Sequence, residues 1–298
     1  MIIDSFLYYN EIELLELRLK VLYDYVDRFV IVEGDHTHKG DPIPFRCKKD
    51  LKTLGFENDP KIHVIELNLK SFDEEEDPWV RSAPARNAQA GICLKTYQSI
   101  YDLKNDDILV VADVDELWHP HYLENYLDAL NANRNAVMVL KCHDLQFRAD
   151  LILNFDDNER PVNAPLIAYG SFWKNHLPTD CRKYLGGTIA SHAKDIPFEV
   201  YYVHGVKQGW HLSWMGDEER QLTKINTSCH WKDEIYGDGE KLESDYIRER
   251  ISNYNPKNEE RDLLGRNRYS LKEFDYTELF EVIGDLPHIK DFLLNRNI

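Results

Sequence analysis

The stretch Asp107-Ile-Leu-Val-Val-Ala-Asp-Val-Asp-Glu-Leu117 decides the fold class. Its apolar run, 108–112, is short and bounded by polar residues, which predicts a strand buried on both faces, as in a parallel sheet. Three acids, Asp113, Asp115 and Glu116, follow this run directly. Ligands of open α/β sheets bind beyond the carboxyl ends of the strands. We therefore expect these acids to lie where such a fold keeps its chemistry.

The spacing of Asp113 and Asp115 allows both carboxylates to reach one divalent cation where the strand ends. Hard cations such as Mg²⁺ and Mn²⁺ prefer oxygen ligands and leave coordination positions for substrate phosphates. The same residues also fit a polar turn between a strand and a helix, with Asp115 or Glu116 near the helix start, because acids are common at N-caps. Both interpretations stay open at this point.

The rest of the chain has the pattern of a parallel α/β sheet. Strands are predicted at 2–8 and 29–33, with an amphipathic helix over 10–23 between them. Strand, helix and strand in this order form the βαβ unit of a parallel sheet. Further strands are predicted at 62–67 and 136–140. The predicted fold class is therefore α/β, with a central, mostly parallel sheet flanked by helices.

Polar residues at two predicted element ends are candidates for binding a phosphate compound. Glu33 is an acid at the carboxyl end of a strand, where the alternative is an ordinary loop carboxylate. A helix is predicted over 83–101, with Arg81, Arg86 and Asn87 near its start. Helix starts have free N–H groups that favour phosphate, and arginine offers a planar fork to phosphate oxygens. The alternative is that these arginines pair with the acidic run before the helix.

A second candidate site is predicted at Gly209-Trp-His-Leu-Ser-Trp-Met-Gly-Asp-Glu-Glu219. Two tryptophans bracket His211, after a predicted strand at 200–203 and before a predicted helix at 217–228. A lone histidine is most often structural, but His211 has the context of a third ligand to a two-carboxylate metal site. The segment 141–200 is irregular and rich in aromatics, which fits a sugar-binding surface, although most such aromatics are core residues.

Composition and charge argue against several classes of protein. The chain has 298 residues, 43% of them hydrophobic, enough for one large domain or two smaller ones. Its net charge of -17 argues against binding nucleic acid or an anionic membrane. No apolar run approaches the roughly 20 residues of a membrane span. Five cysteines without a CxxC pair favour a reducing compartment. We therefore expect a cytoplasmic protein without signal peptide or membrane anchor.

Several motifs taken together resemble glycosyltransferase family 17, in order over roughly residues 1–235. They are Asp4–Leu19, Phe29–Glu33, Thr37–Pro44, Arg86-Asn87, Val111-Ala-Asp-Val-Asp-Glu116, Gly209-Trp-His-Leu-Ser213 and Lys224–His230. A DxD pair alone is common, and the combination makes the resemblance specific. The resemblance implies a single catalytic domain of the GT-A type, a Rossmann-like fold. Residues 1–118 would bind the nucleotide sugar, 119–235 would bind the acceptor and complete the metal site, and 236–298 would form a helical extension.

The activity implied by this resemblance is metal-dependent, inverting transfer of a sugar from a nucleotide sugar, with UDP-GlcNAc expected, onto a saccharide acceptor. Asp115 would ligate Mn²⁺ or Mg²⁺, Asp113 would serve the donor's ribose or a metal-bound water, and His211 would complete the metal site. His230 is the rival to His211 for that position. Glu116 is expected to be structural.

The resemblance also implies donor-binding and catalytic residues. Glu33 would hold the nucleoside and Arg86 the diphosphate. The other expected donor-binding residues are Asn87, Asp113 and Lys224. The general base is expected at a helix start, as Glu218 or its neighbour Asp217, with Asp144 as the alternative.

The animal members of this family carry an N-terminal membrane anchor, and none is predicted before the strand at 2–8. A bacterial or viral glycan-building enzyme is therefore expected. One rival is a phosphatase of the haloacid dehalogenase type with Asp113 as nucleophile. The other is a non-catalytic carbohydrate-binding protein of the same fold.

Overall fold

Two compact units make up the computed structural model of the chain. The first contains residues 1–142 and 162–209, and the second contains residues 143–161 and 210–298. The expected division of one domain at 118 and 235 stays a prediction. The residues that the structure describes are 1–71, 73–93, 98–99, 101–155, 158–159, 161–185, 196–203, 207–227 and 269–295.

Strands and helices alternate through the first half of the chain. The strands are β1 (Ile2–Tyr8), β2 (Arg28–Gly34), β3 (Ile62–Leu67), β4 (Ile92–Cys93), β5 (Gln98–Ser99), β6 (Ile108–Asp113), β7 (Glu116–Trp118), β8 (Val137–Gln146), β9 (Leu151–Phe155), β10 (Asn158–Glu159), β11 (Val162–Tyr169), β12 (Val200–Tyr202), β13 (Gly209–Ser213) and β14 (Tyr269–Glu273). The helices are α1 (Ile12–Leu22), α2 (Cys47–Thr53), α3 (Pro78–Ala88), α4 (Leu123–Ala132), α5 (Gly170–Trp173), α6 (Pro178–Leu185), α7 (Glu218–Thr227), α8 (Thr277–Ile283) and α9 (Pro287–Leu294).

The sheet of the first unit runs in the order β8-β11-β6-β1-β2-β3, with β12 also paired to β8. Its pairs β6-β1, β1-β2 and β2-β3 are parallel, and β12 is parallel to β8. Only β11 runs antiparallel to its neighbours, β6 and β8. The predicted α/β class and the mostly parallel sheet are therefore confirmed.

Helices cover both faces of β6, which explains its continuous apolar run. On one face, Leu109 and Val111 pack in a core that includes residues of α3 and α6. On the other face, Ile108 and Val110 face Tyr126 of α4. Because successive side chains of a strand point to opposite faces, both sets must be apolar.

The register of β1 places two predicted site residues at one edge of the sheet. Tyr8 lies opposite Glu33 of β2, and Leu7 lies opposite Asp113 of β6. The carboxyl ends of β2 and β6 therefore lie on either side of the end of β1, which is where α/β sheets bind their ligands.

The helix predicted over 83–101 is wrong in its bounds, because α3 begins at Pro78 and ends at Ala88. The Asp77 carboxylate accepts hydrogen bonds from the first N–H groups, and proline in the first turn is preset for a helix. Near its other end, Gly91 adopts a left-handed φ of 75°.

This shift changes the argument for Arg86 and Asn87. Both residues lie in the last turn of α3 and not near its start. The free N–H groups and the positive dipole end of a helix start are therefore not available beside them. The expectation that a helix start there favours phosphate is wrong.

The acid turn, which we define as Asp113–Glu116, leads into a strand and not into a helix. Glu116 is the first residue of β7, and α4 begins only at Leu123. The interpretation of these acids as ordinary N-cap residues is therefore excluded.

The second unit has its own strand pairing. The last part of β8, which belongs to this unit, lies parallel to β13, with His211 opposite Asp144. The pairing of β14 with β9 is antiparallel along all of Tyr269–Glu273. The described part of the expected helical extension thus contains a strand before its helices α8 and α9, because pairing with an available strand edge decides the conformation of this polar segment. Among the helices that the structure describes, none combines the length and apolar character needed to cross a membrane.

Candidate active site

The backbone of the acid turn is held from beneath by a buried ion pair. Arg18 and Asp4 are both 0% exposed, and Nε and Nη2 of Arg18 donate to the two carboxylate oxygens of Asp4 at 2.7 Å each. Nη1 of Arg18 donates to the backbone carbonyls of Asp113, at 3.1 Å, and of Glu116, at 2.6 Å. Trp118 Nε1 also donates to Asp4, at 3.1 Å. A buried pair is stable only with such complete hydrogen bonding, so this cluster sets the position of the turn.

The Asp113 carboxylate is bound by two arginines. Arg86 Nη1 donates to Oδ1 at 2.6 Å, and Arg86 Nη2 donates to Oδ2 at 3.1 Å. Arg182 Nη2 donates to the same Oδ2 at 3.2 Å. Burial alone would raise the pKa of Asp113, but the two guanidinium groups outweigh it and hold this pKa well below its usual range. Asp113 is therefore an anion at every physiological pH.

Glu116 forms the second half of this network. Arg182 Nη1 donates to Oε2 at 2.9 Å, and Arg182 Nη2 donates to Oε1 at 2.6 Å. The backbone N–H of Asp113 also donates to Oε2, at 2.8 Å. Although burial lowers the pKa of Arg182, Glu116 and Asp113 raise it above its ordinary value overall. Both oxygens of Glu116 are thus used to hold the turn, which gives physical support to the expected structural role.

Arg182 was missed at the sequence level. It lies on α6, 66 residues from Glu116 along the chain, in a segment without a recognisable motif. Its helix is joined to α3 by Asn87, whose Oδ1 accepts from the Thr179 N–H at 3.0 Å and from the Thr179 hydroxyl at 2.9 Å. Asn87 is 1% exposed. Its expected part in donor binding stays a prediction, whereas its part in fixing α6 is a contact in the structure.

The acid turn could supply only one or two protein ligands to a divalent cation. Asp113 and Glu116 already accept from arginines, and the third acid, Asp115, is 6% exposed. In the described part of either unit, no three His, Cys, Asp or Glu side chains converge as a metal-holding group. Mg²⁺ and Mn²⁺ are often held by one or two carboxylates together with substrate phosphates and water, and Asp115 offers the oxygen ligand for that arrangement. Because His211 belongs to the other unit, the three-ligand set stays a prediction.

Glu33 accepts hydrogen bonds from the start of α2. The Arg46 N–H donates to Oε1 at 2.7 Å, and the Cys47 N–H donates to Oε2 at 3.0 Å. The carboxylate is buried, and burial raises its pKa, although the two backbone N–H groups oppose the shift. Its expected contact with the nucleoside stays a prediction.

In the second unit, His211 and Asp144 form a hydrogen-bonded pair. Nδ1 of His211 lies 3.0 Å from Oδ1 of Asp144, whose side chain is 3% exposed, while that of His211 is 20% exposed. Metal-binding histidines commonly donate their second ring N–H to a carboxylate, which fixes the ring and its tautomer. With Nδ1 turned to Asp144, the expected role as a metal ligand would fall to Nε2.

The candidate bases flank the start of α7. Asp217 is exposed, and its Oδ1 accepts from the Arg220 N–H at 2.9 Å, which caps the helix. Glu218 is the first residue of α7, and its side chain lies outside the described residues. Lys224 Nζ lies 5.9 Å from the centre of the Trp214 ring. His230, the rival metal ligand, also lies outside the described residues.

The part of the chain that builds the acid turn also has known relatives. Residues 1–147 match glycosyltransferase family 17. The relationship expected from the motifs is therefore confirmed over this region, which contains Asp4, Arg18, Arg86 and the acid turn. Arg182 and His211 lie beyond the matched residues.

Two curated relatives share this similarity. The chain is similar to the human and rat proteins named beta-1,4-mannosyl-glycoprotein 4-beta-N-acetylglucosaminyltransferase, with 29% identity over 112 residues in each case. The match covers 36% of this chain and 20% of each relative. The chain thus corresponds to about a fifth of the length of these relatives.

Solved glycosyltransferase structures show weaker similarity. The structure of S. aureus TarS 1–349 superposes with a TM-score of 0.40 and 11% identity, covering 86% of this chain and 73% of TarS. The galactosyltransferase LgtC, in complex with donor and acceptor sugar analogues, superposes with a TM-score of 0.34 and 12% identity, covering 68% and 73%. The fold class stated above rests on the strand order and the parallel register.

Proposed function

We propose that the chain is a nucleotide-sugar-dependent glycosyltransferase whose acid turn binds the donor diphosphate together with a divalent cation. One observation carries the proposal: residues of the family-matched region hold the acid turn in a fixed geometry at the carboxyl end of β6. That edge is the usual ligand site of α/β sheets. The names of the curated relatives support N-acetylglucosamine as the transferred sugar and a saccharide hydroxyl as the acceptor, and we propose UDP-GlcNAc as the donor.

The acids of the turn have unequal roles in this proposal. Asp115 provides the first protein ligand, while the carboxylates of Asp113 and Glu116 accept hydrogen bonds from arginines and hold the turn. A bound Mn²⁺ or Mg²⁺ would supply Lewis-acid stabilisation of the leaving diphosphate. Asp113 orients Arg86, whose guanidinium group suits a phosphate oxygen at the same edge of the sheet.

A carboxylate must take the proton of the acceptor hydroxyl during transfer with inversion. Asp217 and Glu218 are the candidates, with Glu218 favoured. Asp144 is less suited, because its carboxylate is buried and hydrogen-bonded to His211. Glu218→Gln and Asp217→Asn separate the two candidates: substitution of the base abolishes transfer while the affinity for UDP with Mn²⁺ is retained.

The test of the proposal is release of nucleoside diphosphate from a panel of UDP- and GDP-sugars, with Mn²⁺ or with EDTA, with and without saccharide acceptors. We expect release from UDP-GlcNAc with Mn²⁺ only, and a loss of at least about 100-fold in Asp115→Ala. Asp106→Ala, at a carboxylate whose side chain is 86% exposed in the same unit, is the matched control. Full turnover by Asp115→Ala in the presence of Mn²⁺ would overturn the proposal.

The geometry is unfavourable to the phosphatase alternative. A nucleophilic Asp113 would need an available oxygen, whereas both of its oxygens accept from guanidinium groups. A purely carbohydrate-binding protein would bind a donor or a saccharide without releasing nucleoside diphosphate under any of the conditions above.

A further inference from the structure

Arg182 stands out among the residues around the acid turn, because neither the motifs nor the family match assigns it a role. One guanidinium group joins the carboxylates of Glu116 and Asp113, with donor–acceptor distances of 2.6 to 3.2 Å. Its side chain is 18% exposed and that of Glu116 is 3% exposed. A partly buried, bidentate pair of this kind is held far more firmly than a surface ion pair.

The position of Arg182 is built into the first unit. Its neighbour Cys181 and the last residue of α6, Leu185, are both 0% exposed in the core under the sheet. Thr179, in the first turn of the same helix, is bonded to Asn87 of α3. The helix that carries Arg182 is therefore fixed to the helix that carries Arg86.

The two arginines converge on one atom. Nη2 of Arg86 and Nη2 of Arg182 lie 3.1 and 3.2 Å from the same Oδ2 of Asp113. Without these positive charges, three carboxylates within four consecutive residues would repel one another and any diphosphate that approached. The charge of Asp115 also acts on Arg182.

We propose that Arg182 is a positioning residue that makes the acid turn able to accept a nucleoside diphosphate. It neutralises Glu116 and shares Asp113 with Arg86, so that the negative charge of the turn does not repel the diphosphate. This inference rests on the proposed function and extends it to a residue beyond the family-matched region.

The experiment measures the Kd of UDP in the presence of Mn²⁺ by titration calorimetry, together with KM and kcat for the sugar donor. We expect Arg182→Gln to weaken UDP binding by about 10–100-fold, the size typical of positioning residues around a metal site, and to raise KM more than it lowers kcat. Arg182→Lys, which keeps the charge but not the fork, recovers part of the affinity. Lys183→Gln removes the same charge from an exposed neighbour on α6 and leaves binding unchanged.

A second variant separates charge from folding. In Arg182→Gln/Glu116→Gln the unpaired carboxylate is also removed, so we expect UDP binding to recover relative to Arg182→Gln alone. Thermal unfolding of each variant accompanies the binding data. If Arg182→Gln does not fold, weakened binding by Arg182→Lys supports the proposal.

Three outcomes overturn the inference. They are unchanged UDP affinity in Arg182→Gln, a double variant no better than Arg182→Gln, and, where Arg182→Gln does not fold, unchanged affinity in Arg182→Lys. Failure of the proposed function looks different, because the unsubstituted protein would then bind neither UDP nor GDP with Mn²⁺ and release no nucleoside diphosphate.

Discussion

In the acid turn after β6, carboxylates are paired with arginines, whereas Asp144 in the second unit is paired with a histidine. Asp113 and Glu116 of the turn, like Asp4 of β1, accept from guanidinium groups at 2.6 to 3.2 Å. Asp144 lies 3.0 Å from the imidazole of His211. Both regions thus place a carboxylate beside a positive or potentially positive group.

The two kinds of partner have different consequences. A guanidinium group stays charged at every physiological pH and offers a rigid fork, so it holds an acid and the backbone beside it in one geometry. An imidazole changes its charge near neutral pH and keeps a second nitrogen for a cation or a proton. The arginines of the first region are therefore suited to holding the acids in fixed positions. The histidine of the second region is suited to exchanging a proton or binding a cation.

The largest effect on stability is expected from removing the buried Asp4–Arg18 ion pair that holds the acid turn. Arg18→Met leaves Asp4 buried without its charge partner and removes the donor to the Glu116 carbonyl. Such a loss costs about 3–5 kcal/mol of unfolding free energy, measurable by urea denaturation. Asp4→Leu/Arg18→Met is the matched control, because removing both charges costs much less. A loss below about 1 kcal/mol in the single variant would contradict this role of the ion pair.

Removing the carboxylate that orients the histidine should have the next largest effect. Asp144→Asn keeps the shape of the side chain but no longer favours the ring tautomer with Nδ1 protonated, so we expect a 10–100-fold lower transfer rate and weaker dependence on Mn²⁺. Asp150→Asn, at an acid of the same unit paired with Arg148, is the matched control. Equal behaviour of the two variants, with unchanged ¹⁵N signals of the His211 ring, would assign Asp144 no orienting role.

Glu33 is a third kind of buried acid, paired with neither arginine nor histidine. In the described contacts its carboxylate accepts only from backbone N–H groups. Because burial raises its folded pKa, the folded state keeps a proton that the unfolded chain has lost. Its contribution to stability is therefore largest below the unfolded pKa and falls as pH rises through the folded pKa. The slope reaches at most about 1.4 kcal/mol per pH unit.

Glu33→Gln should remove this slope in urea unfolding measured between about pH 4 and 7. Glu57→Gln, at an acid whose side chain is 51% exposed and paired with Lys52, should leave the slope as it is. A Glu33→Gln variant with the same pH dependence as the unsubstituted protein would show that Glu33 does not titrate in this range.

The smallest effect is expected at an exposed ion pair of the second unit. Arg148 and Asp150 have side chains that are 45% and 32% exposed, so water screens their attraction. Arg148→Ala should change the unfolding free energy by no more than about 1 kcal/mol. A loss approaching that of Arg18→Met would mean that arginine pairing stabilises this protein regardless of burial.

The local pattern of apolar residues was sufficient to predict the central strands of the sheet. The runs at 2–8, 29–33 and 108–112 lie in β1, β2 and β6, because a strand buried on both faces is mostly apolar at successive positions. The run at 62–67 lies in β3, the edge strand, where exposed and more buried positions mix. The motifs over roughly residues 1–235 also indicated the relationship to glycosyltransferase family 17, which is confirmed over residues 1–147. The bounds of α3 were missed although Asp77 and Pro78 are recognisable start signals. The strand β14 was missed because its conformation depends on pairing with β9.

The sequence by itself determined the α/β class, the acids at the end of β6 and the family of the first 147 residues. The tertiary structure alone decided which side chains hold those acids. Arg18 and Arg182 reach Glu116 across 98 and 66 residues of chain. Such pairs depend on how α1 and α6 pack around the sheet, and no local periodicity encodes the partner of a charged side chain that far away.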